Sequence, residues 1–199
     1  MKVVLTLIFA MLLFAPLGFT QEEMAAGDGF FSFSALHSGS NEPILTHTSL
    51  GGVATLGWNV NQNIGIEAEF GGYHNGFVNA YHNNTNSQTF LFGPRLSYSR
   101  LRTVDPYVHV LLGGIHTATS AFGVMDASGR HTVSQNGFTL AVGGGVDIKI
   151  NKYVSFRPAQ IDYMPTFLGN IGPNGLTNNS FRNNVRFCIG FMFQDYESW

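Results

Sequence analysis

Apolar and polar residues alternate one by one along eight segments of the chain. In the clearest segment, Val185, Phe187, Ile189, Phe191 and Phe193 occupy every second position. A period of two is typical of β-strands, because successive side chains point to opposite faces. The pattern predicts strands at Gly29–His37, Leu50–Val60, Ile64–His74, Gln88–Arg100, Tyr107–Thr117, Gly137–Ile150, Val154–Pro165 and Asn183–Phe193.

The connections between these segments alternate in length. Those after the second, fourth and sixth strands are short, and the others span roughly ten to twenty residues rich in Asn, Gly, Ser and His. Strands of nine to eleven residues cross a bilayer when tilted, and short turns on one side with long loops on the other are typical of outer-membrane barrels. The pattern predicts an all-β, eight-stranded antiparallel up-and-down transmembrane β-barrel. Trp58, Tyr98, Tyr107 and Tyr153 flank the short turns, where we expect an aromatic girdle.

The first twenty residues have the composition of a secretory leader. Lys2 precedes an apolar run from Val3 to Phe14, and small residues lead up to Thr20. This arrangement predicts a signal peptide over residues 1–20, followed by a barrel domain over residues 21–199.

The chain is poor in charge. Charged residues make up 11% of it, against about a quarter in soluble domains. The formal net charge of −2 offers no basic patch, so we expect no nucleic-acid partner. Cys188 is the single cysteine, which excludes an internal disulfide. No motif calls for a cofactor, and we expect none.

Several segments resemble a known family. The sequences LFGPRLSYSR, PYVHVLLGG, AVGGGVDIKI, VSFRPAQIDYMPT and NNVRFCIGFMF are similar to those of bacterial outer-membrane β-barrel proteins related to the eight-stranded transmembrane domain of outer membrane protein A. The resemblance implies a location in the outer membrane of a Gram-negative cell, a filled lumen, and a structural or adhesive role. It also implies contact with outer-membrane lipids and recognition of the last strand by the barrel assembly machinery. We expect a monomer, and the sequence does not name a surface ligand.

Charged residues on the less apolar faces form the first candidate site. Buried charges must pair, because an isolated one is costly. We therefore expect a salt-bridged plug in the lumen, while a narrow solute or ion path along the same charges is the alternative. Asp162 joins these residues only if a bulge in its strand places its side chain on the inward face. The predicted lumen network is Glu67, Glu69, Arg95, Asp147, Lys149, Arg157 and Arg186.

Histidines form the second candidate site. All but His109 map to the outer loops or the outer strand ends, where they could bind Zn²⁺ or Cu²⁺ or respond to pH. No pair has a recognised metal spacing. The candidate rim residues are His37, His47, His74, His82, His116 and His131.

Other functions are less well supported. A lipid-modifying enzyme would need a nucleophile and a base, and His47, Thr48, Ser49 and Asp126 supply those residue types without a Gly-x-Ser-x-Gly motif. We therefore expect no enzyme. A soluble barrel shares the hairpin pattern but would have a polar exterior. The uncharged stretches HNGFVNAYHNNTNSQ and GNIGPNGLTNNS could display a surface for adhesion.

Overall fold

The computed structural model describes residues 25–39, 47–75, 84–98, 103–121, 131–171 and 177–196. The predicted signal peptide and most of the predicted outer loops lie outside these residues, so the signal peptide stays a prediction. Within the described residues no helix is long and apolar enough to cross a membrane. The strands are β1 (Ala25–Gly39), β2 (His47–Asn59), β3 (Ile64–Asn75), β4 (Asn84–Ser97), β5 (Val104–Ala121), β6 (His131–Lys149), β7 (Val154–Ile171) and β8 (Thr177–Tyr196).

The eight strands form a closed barrel. Each strand pairs antiparallel with the next in sequence, and β1 pairs with β8. Closure leaves no unpaired sheet edge, so the backbone polar groups are satisfied between strands. The predicted fold class is confirmed.

Two of the short turns are held by asparagine side chains. Asn61 Oδ1 accepts hydrogen bonds from the backbone N–H groups of Asn63 and Ile64, both at 2.8 Å. Asn151 Oδ1 accepts from Tyr153 and Val154 at 2.8 and 2.9 Å. A side chain that bonds the backbone two residues on fixes a tight turn locally. These turns define one end of the barrel, called here the short-turn end.

The strands differ from the predicted ones mainly in length. At the opposite, outer end, β6 begins at His131 and β8 begins at Thr177, six residues before the predicted starts. These extensions are rich in Asn, Ser and Thr, so they lack the alternation that signals a strand, although the backbone ladder continues. The predicted strand to Arg100 was wrong at its end, because β4 stops at Ser97.

Phenylalanines cover the outside of the barrel. Phe30 is the exception within the described strands, because its ring is buried in the lumen. The interior instead mixes polar and charged side chains with buried apolar ones such as Leu91, Leu111 and Met164. The apolar exterior is the reverse of a soluble barrel. The exposed phenylalanines are Phe31, Phe33, Phe70, Phe90, Phe92, Phe138, Phe167, Phe181, Phe187, Phe191 and Phe193.

Three of the four predicted girdle aromatics lie on the outer surface. Trp58, Tyr98 and Tyr153 are exposed at the short-turn end. The prediction for Tyr107 was wrong, because Tyr107 is buried in the lumen. It shares the inward phase of β5 with His109, and proximity to a turn does not override that alternation.

A bulge in β7 resets which side chains face inward. The register between β7 and β8 shifts between Arg157 and Gln160, so both side chains are buried although they are three residues apart. Strict alternation would place them on opposite faces, and the extra residue of a bulge removes that conflict. Beyond the bulge, Asp162 also faces the lumen.

The outward phase of β8 leads to a prediction. Phe187 lies at the middle of the exposed apolar row and Phe181 lies at its outer end, and both rings are about half exposed. Phe187→Arg should reduce the free energy of unfolding in lipid vesicles by about 2–4 kcal/mol, and Phe181→Arg by about 0–1 kcal/mol, because the cost of arginine falls toward the membrane interface. Equal losses in a urea titration would contradict this orientation.

Candidate functional site

The short-turn half of the lumen is filled by charged and polar side chains, called here the lumen network. Its members come from all eight strands and are buried or, for Asn59, half-buried. The lumen network consists of Asp28, Asn59, Glu67, Glu69, Arg95, His109, Asp147, Arg157, Gln160, Asp162 and Arg186.

Arg95 joins the first four strands. Its guanidinium forms a close ion pair with Asp28 and donates to Glu67 Oε1 at 2.9 Å and to Asn59 Oδ1 at 2.8 Å. These contacts tie β4 to β1, β3 and β2. A guanidinium with planar, fixed donors is suited to holding several acceptors at once.

His109 bridges two carboxylates across the barrel. Its Nδ1 lies 2.9 Å from Glu67 Oε2, and its Nε2 lies 2.8 Å from Asp162 Oδ1. Ionised carboxylate oxygens only accept hydrogen bonds, so both ring nitrogens act as donors and the ring is an imidazolium. His109 is therefore a cation of the lumen network, beside its three arginines.

Arg186 occupies the centre of the barrel. Its Nη2 donates to Glu69 Oε2 and its Nε donates to Asp162 Oδ2, both at 2.8 Å. Nη1 also donates to the Tyr73 hydroxyl at 3.2 Å. Two carboxylates thus share one fully buried guanidinium. Hydrogen bonds between ionised groups are stronger than those between neutral groups. In an interior without water they are needed to offset the cost of desolvating the guanidinium and the carboxylates.

Arg157 is held from two directions. Asp147 accepts from its Nε at 2.6 Å and from its Nη2 at 2.9 Å. The Phe30 and Tyr107 rings lie against the guanidinium, with centroids 4.0 and 4.1 Å from Cζ. Aromatic faces attract a cation through their quadrupole, and more strongly when water is excluded. This contact stabilises the lumen position that the inward phase of β5 gives Tyr107.

Gln160 links Arg157 to the rest of the lumen network. Its Oε1 accepts from Arg157 Nη1 at 2.8 Å and from the Tyr107 hydroxyl at 2.7 Å, and its Nε2 donates to Asp162 Oδ2 at 2.9 Å. Five carboxylates, three guanidiniums and one imidazolium therefore form one connected set. Its continuity depends on the β7 bulge, which turns Gln160 and Asp162 inward.

Glycines make room for two of the carboxylates. A Cβ on Gly57 would lie 2.4 Å from Asp28 Oδ1, and one on Gly143 would lie 2.1 Å from Asp162 Oδ1. Each glycine is the cross-strand partner of the acid it faces. The missing side chain therefore lets each carboxylate lie against the sheet and reach its cation.

The structure brings six of the seven predicted lumen residues together. Lys149 does not join them, because it is half-buried at the short-turn end, where it pairs with Asp105 at 2.9 Å. Sequence analysis missed Asp28, Asn59, His109 and Gln160. Asp28 lies one position before the predicted start of β1, and His109 has the inward phase of β5. The inward phase of β5 could have identified His109 from the sequence. Gln160 faces inward only because of the bulge in β7, which strict alternation does not predict.

The rim histidines with described side chains are not brought together. His37, His74 and His116 lie on β1, β3 and β5, are exposed on the outer surface, and each contacts a polar residue of the next strand. The described residues contain no group of His, Cys, Asp or Glu suited to a metal ion. His82 and the side chains of His47 and His131 lie outside the described part. The contacts are His37 Nδ1–Thr48 Oγ1 at 3.0 Å, His74 Nδ1–Asn86 Oδ1 at 2.6 Å and His116 Nδ1–Asn136 Oδ1 at 2.6 Å.

Of the candidate catalytic residues, the structure describes the side chains of Thr48 and Ser49. Thr48 is exposed on the outer face, whereas Ser49 is buried in the lumen. Asp126 lies outside the described residues. The Cys188 thiol is also buried, and its Sγ donates to Ser34 Oγ at 3.3 Å.

A closed antiparallel barrel with phenylalanines outside and paired ions inside defines a transmembrane β-barrel of the outer-membrane type. The model of the family described as "Outer membrane protein beta-barrel domain" matches residues 5–187, so the chain belongs to that family. Its location is the bacterial outer membrane. No curated protein matches the chain.

Solved structures share this fold. Neisserial surface protein A (NspA) is 13% identical with a TM-score of 0.58, covering 87% of this chain and 98% of its own. Ail, the attachment invasion locus protein of Yersinia pestis, is 13% identical with a TM-score of 0.56, covering 86% and 99%. A major outer membrane protein from Thermus thermophilus is 10% identical with a TM-score of 0.54, covering 83% and 99%. At such identities the likeness extends to the fold alone.

The two lumen-facing cations of β6 and β7 provide a matched pair of variants. Arg157→Met should lower the free energy of unfolding by about 3–5 kcal/mol, because it leaves the carboxylate of Asp147 buried and unpaired. Lys149→Met should cost less, about 1–3 kcal/mol, because its partner Asp105 is buried but the Lys149 side chain is 28% exposed, so water can replace part of the lost contact. Urea unfolding in lipid vesicles measures both. Similar losses for the two variants would show that Asp147 is hydrated.

Proposed function

We propose that this protein is an outer-membrane barrel with a structural or surface-interaction role and a side-chain-filled lumen. The observation that supports the proposal best is the continuity of the lumen network, which joins all eight strands through hydrogen bonds. A barrel closed in this way has its outer loops and rim as the surfaces left for interaction.

Barrel size supports a plugged lumen over a pore. Eight strands enclose an interior that side chains can just fill. Arg157 and Arg186 are 1% and 0% exposed, and both belong to the lumen network. Because each is held by two or three acceptors, opening a path would require unpairing buried ions, which is costly.

The outer end supports a surface role. Polar Asn, Ser and Thr residues extend β6 and β8 beyond the apolar surface, and the connections beyond them include two asparagine-rich stretches. Two proteins of the same fold are named as a surface protein and an attachment invasion locus protein. We propose that this chain likewise contacts its ligand through its outer loops and rim.

We further propose that the protein is a monomer without enzymatic activity. A closed sheet has no free edge for pairing with a second chain. Ser49, the serine among the candidate catalytic residues, is buried in the lumen and not at the lipid-facing surface, where a lipid-modifying enzyme would need it. Outer-membrane lipids would contact the phenylalanine surface, and the assembly machinery would recognise β8, whose outward face is aromatic at Phe187, Phe191 and Phe193.

The filled lumen predicts low conductance. In planar bilayers the purified protein should show no steady porin-sized current, measured beside a sixteen-stranded porin. Arg157→Met should raise brief leak events, since an unpaired carboxylate attracts water into the lumen. Steady porin-sized currents from the unmodified protein would overturn the plugged lumen and favour the pore.

The surface role predicts dependence on an outer loop. Replacing residues 76–83 with a Gly-Ser segment of equal length should reduce attachment of expressing cells to protein-coated surfaces at least threefold. The exposed short-turn variant Lys152→Gln is the matched control and should attach like the unmodified protein. Heat-modifiable migration on gels verifies that each variant is folded. Equal attachment by cells that lack the protein would argue for a purely structural role.

A further inference from the structure

The outer half of the lumen contains a cavity of about 20 Å³, called here the outer cavity. It lies beyond the lumen network and is lined by residues of six strands, with Leu36, Ile115 and Leu168 among its apolar residues. Its hydroxyl groups come from Ser49, Thr117 and others. A volume of this size accommodates one or two water molecules. It therefore suits a small polar group and not a whole large ligand.

Asn184 presents an unpaired acceptor at this cavity. Its Nδ2 donates to Thr166 Oγ1 at 2.8 Å and to the Met164 carbonyl at 3.1 Å. These two bonds fix the orientation of the amide, and Oδ1 is left buried with no hydrogen-bond partner in the described part of the chain. A buried acceptor without a donor costs free energy, so a ligand that supplies a donor is favoured there.

Arg182 presents an unpaired cation at the same cavity. It is half-buried, two residues before Asn184 on the inward face of β8. No hydrogen bond or ion pair joins Arg182 to another described residue. Arg95, Arg157 and Arg186, by contrast, each bind carboxylates. The lumen therefore holds one described arginine whose guanidinium is left for a ligand.

We propose that the outer cavity binds a carboxylate that carries a hydroxyl group on the first or second carbon from it. The carboxylate pairs with the guanidinium of Arg182, and the hydroxyl donates to Asn184 Oδ1. The terminal uronic acid of a saccharide and a free small hydroxy acid share this chemistry. This inference goes beyond the proposed surface role, and it holds whether or not the outer loops mediate attachment.

Four probes test the two groups of the ligand separately. Lactate and glucuronate carry both groups, propionate lacks the hydroxyl, and glucose lacks the carboxylate. Calorimetric titration of the full barrel in zwitterionic micelles should give lactate or glucuronate at least tenfold tighter binding than propionate and glucose. Preference for lactate identifies a free hydroxy acid, and preference for glucuronate identifies a saccharide end. Propionate binding as tightly as lactate and glucuronate would overturn the proposal.

Three variants assign the binding to the named residues. Arg182→Gln should weaken binding of the preferred probe at least tenfold, and Lys152→Gln, which removes a cation at the opposite end, should leave it unchanged. Asn184→Ala should retain propionate-like affinity and lose the preference for the hydroxyl. Heat-modifiable migration establishes folding of each variant. If Arg182→Gln and Lys152→Gln bind the probe equally, the site is not at Arg182, whereas the conductance and attachment results stand independently.

Discussion

Ions that are removed from water inside a barrel must be paired, and this requirement organises the whole molecule. Every strand contributes at least one member of the lumen network, so each strand position is constrained by a partner on another strand. Sliding one strand by a single residue would turn its charged groups toward lipid, and sliding it by two would separate the pairs. The lumen network thus fixes register, a property that an apolar exterior cannot supply because lipid accepts phenylalanine at any height.

Stability and specificity therefore arise on different faces. Stability comes from the outer face, which matches the lipid, and from the closed ladder of backbone hydrogen bonds. The buried ions of the inner face at best offset the cost of their own desolvation, so their contribution is to specify the register. The inner face is also divided along the axis. Its short-turn half is saturated with charge pairs, and its outer half carries hydroxyl groups, aliphatic side chains and the unpaired groups of Arg182 and Asn184. The same barrel therefore has a lumen closed by ion pairs in its short-turn half and a cavity with unpaired polar groups in its outer half.

The sequence was sufficient for the strands and for most of the lumen charges. Alternation identifies both, because a side chain's face follows from its phase once one apolar face is recognised. Alternation did not predict the polar extensions of β6 and β8, because strand pairing continues there without an apolar face. We had placed Tyr107 in the girdle from its position beside a turn, although it shares the inward phase of His109. Lys149 was placed in the lumen network because phase does not report height along the barrel, and Lys149 lies at the short-turn end. His109 was predictable from phase alone.

The bulge in β7 constrains how the gene can change. Residues before and after it are inward in opposite phases, with Arg157 on one side and Asp162 on the other. Deleting one residue at Pro158 or Ala159 would restore a single phase in which Arg157 and Asp162 both still face the lumen, because the bulge supplies the extra residue. Elsewhere within β7 a single deletion would exchange the lumen-facing and lipid-facing side chains on one side of it, so losses there are tolerable only in pairs or at the outer end. A comparison of natural variants should therefore find single-residue length changes in the connections and at the bulge, and not elsewhere in β7.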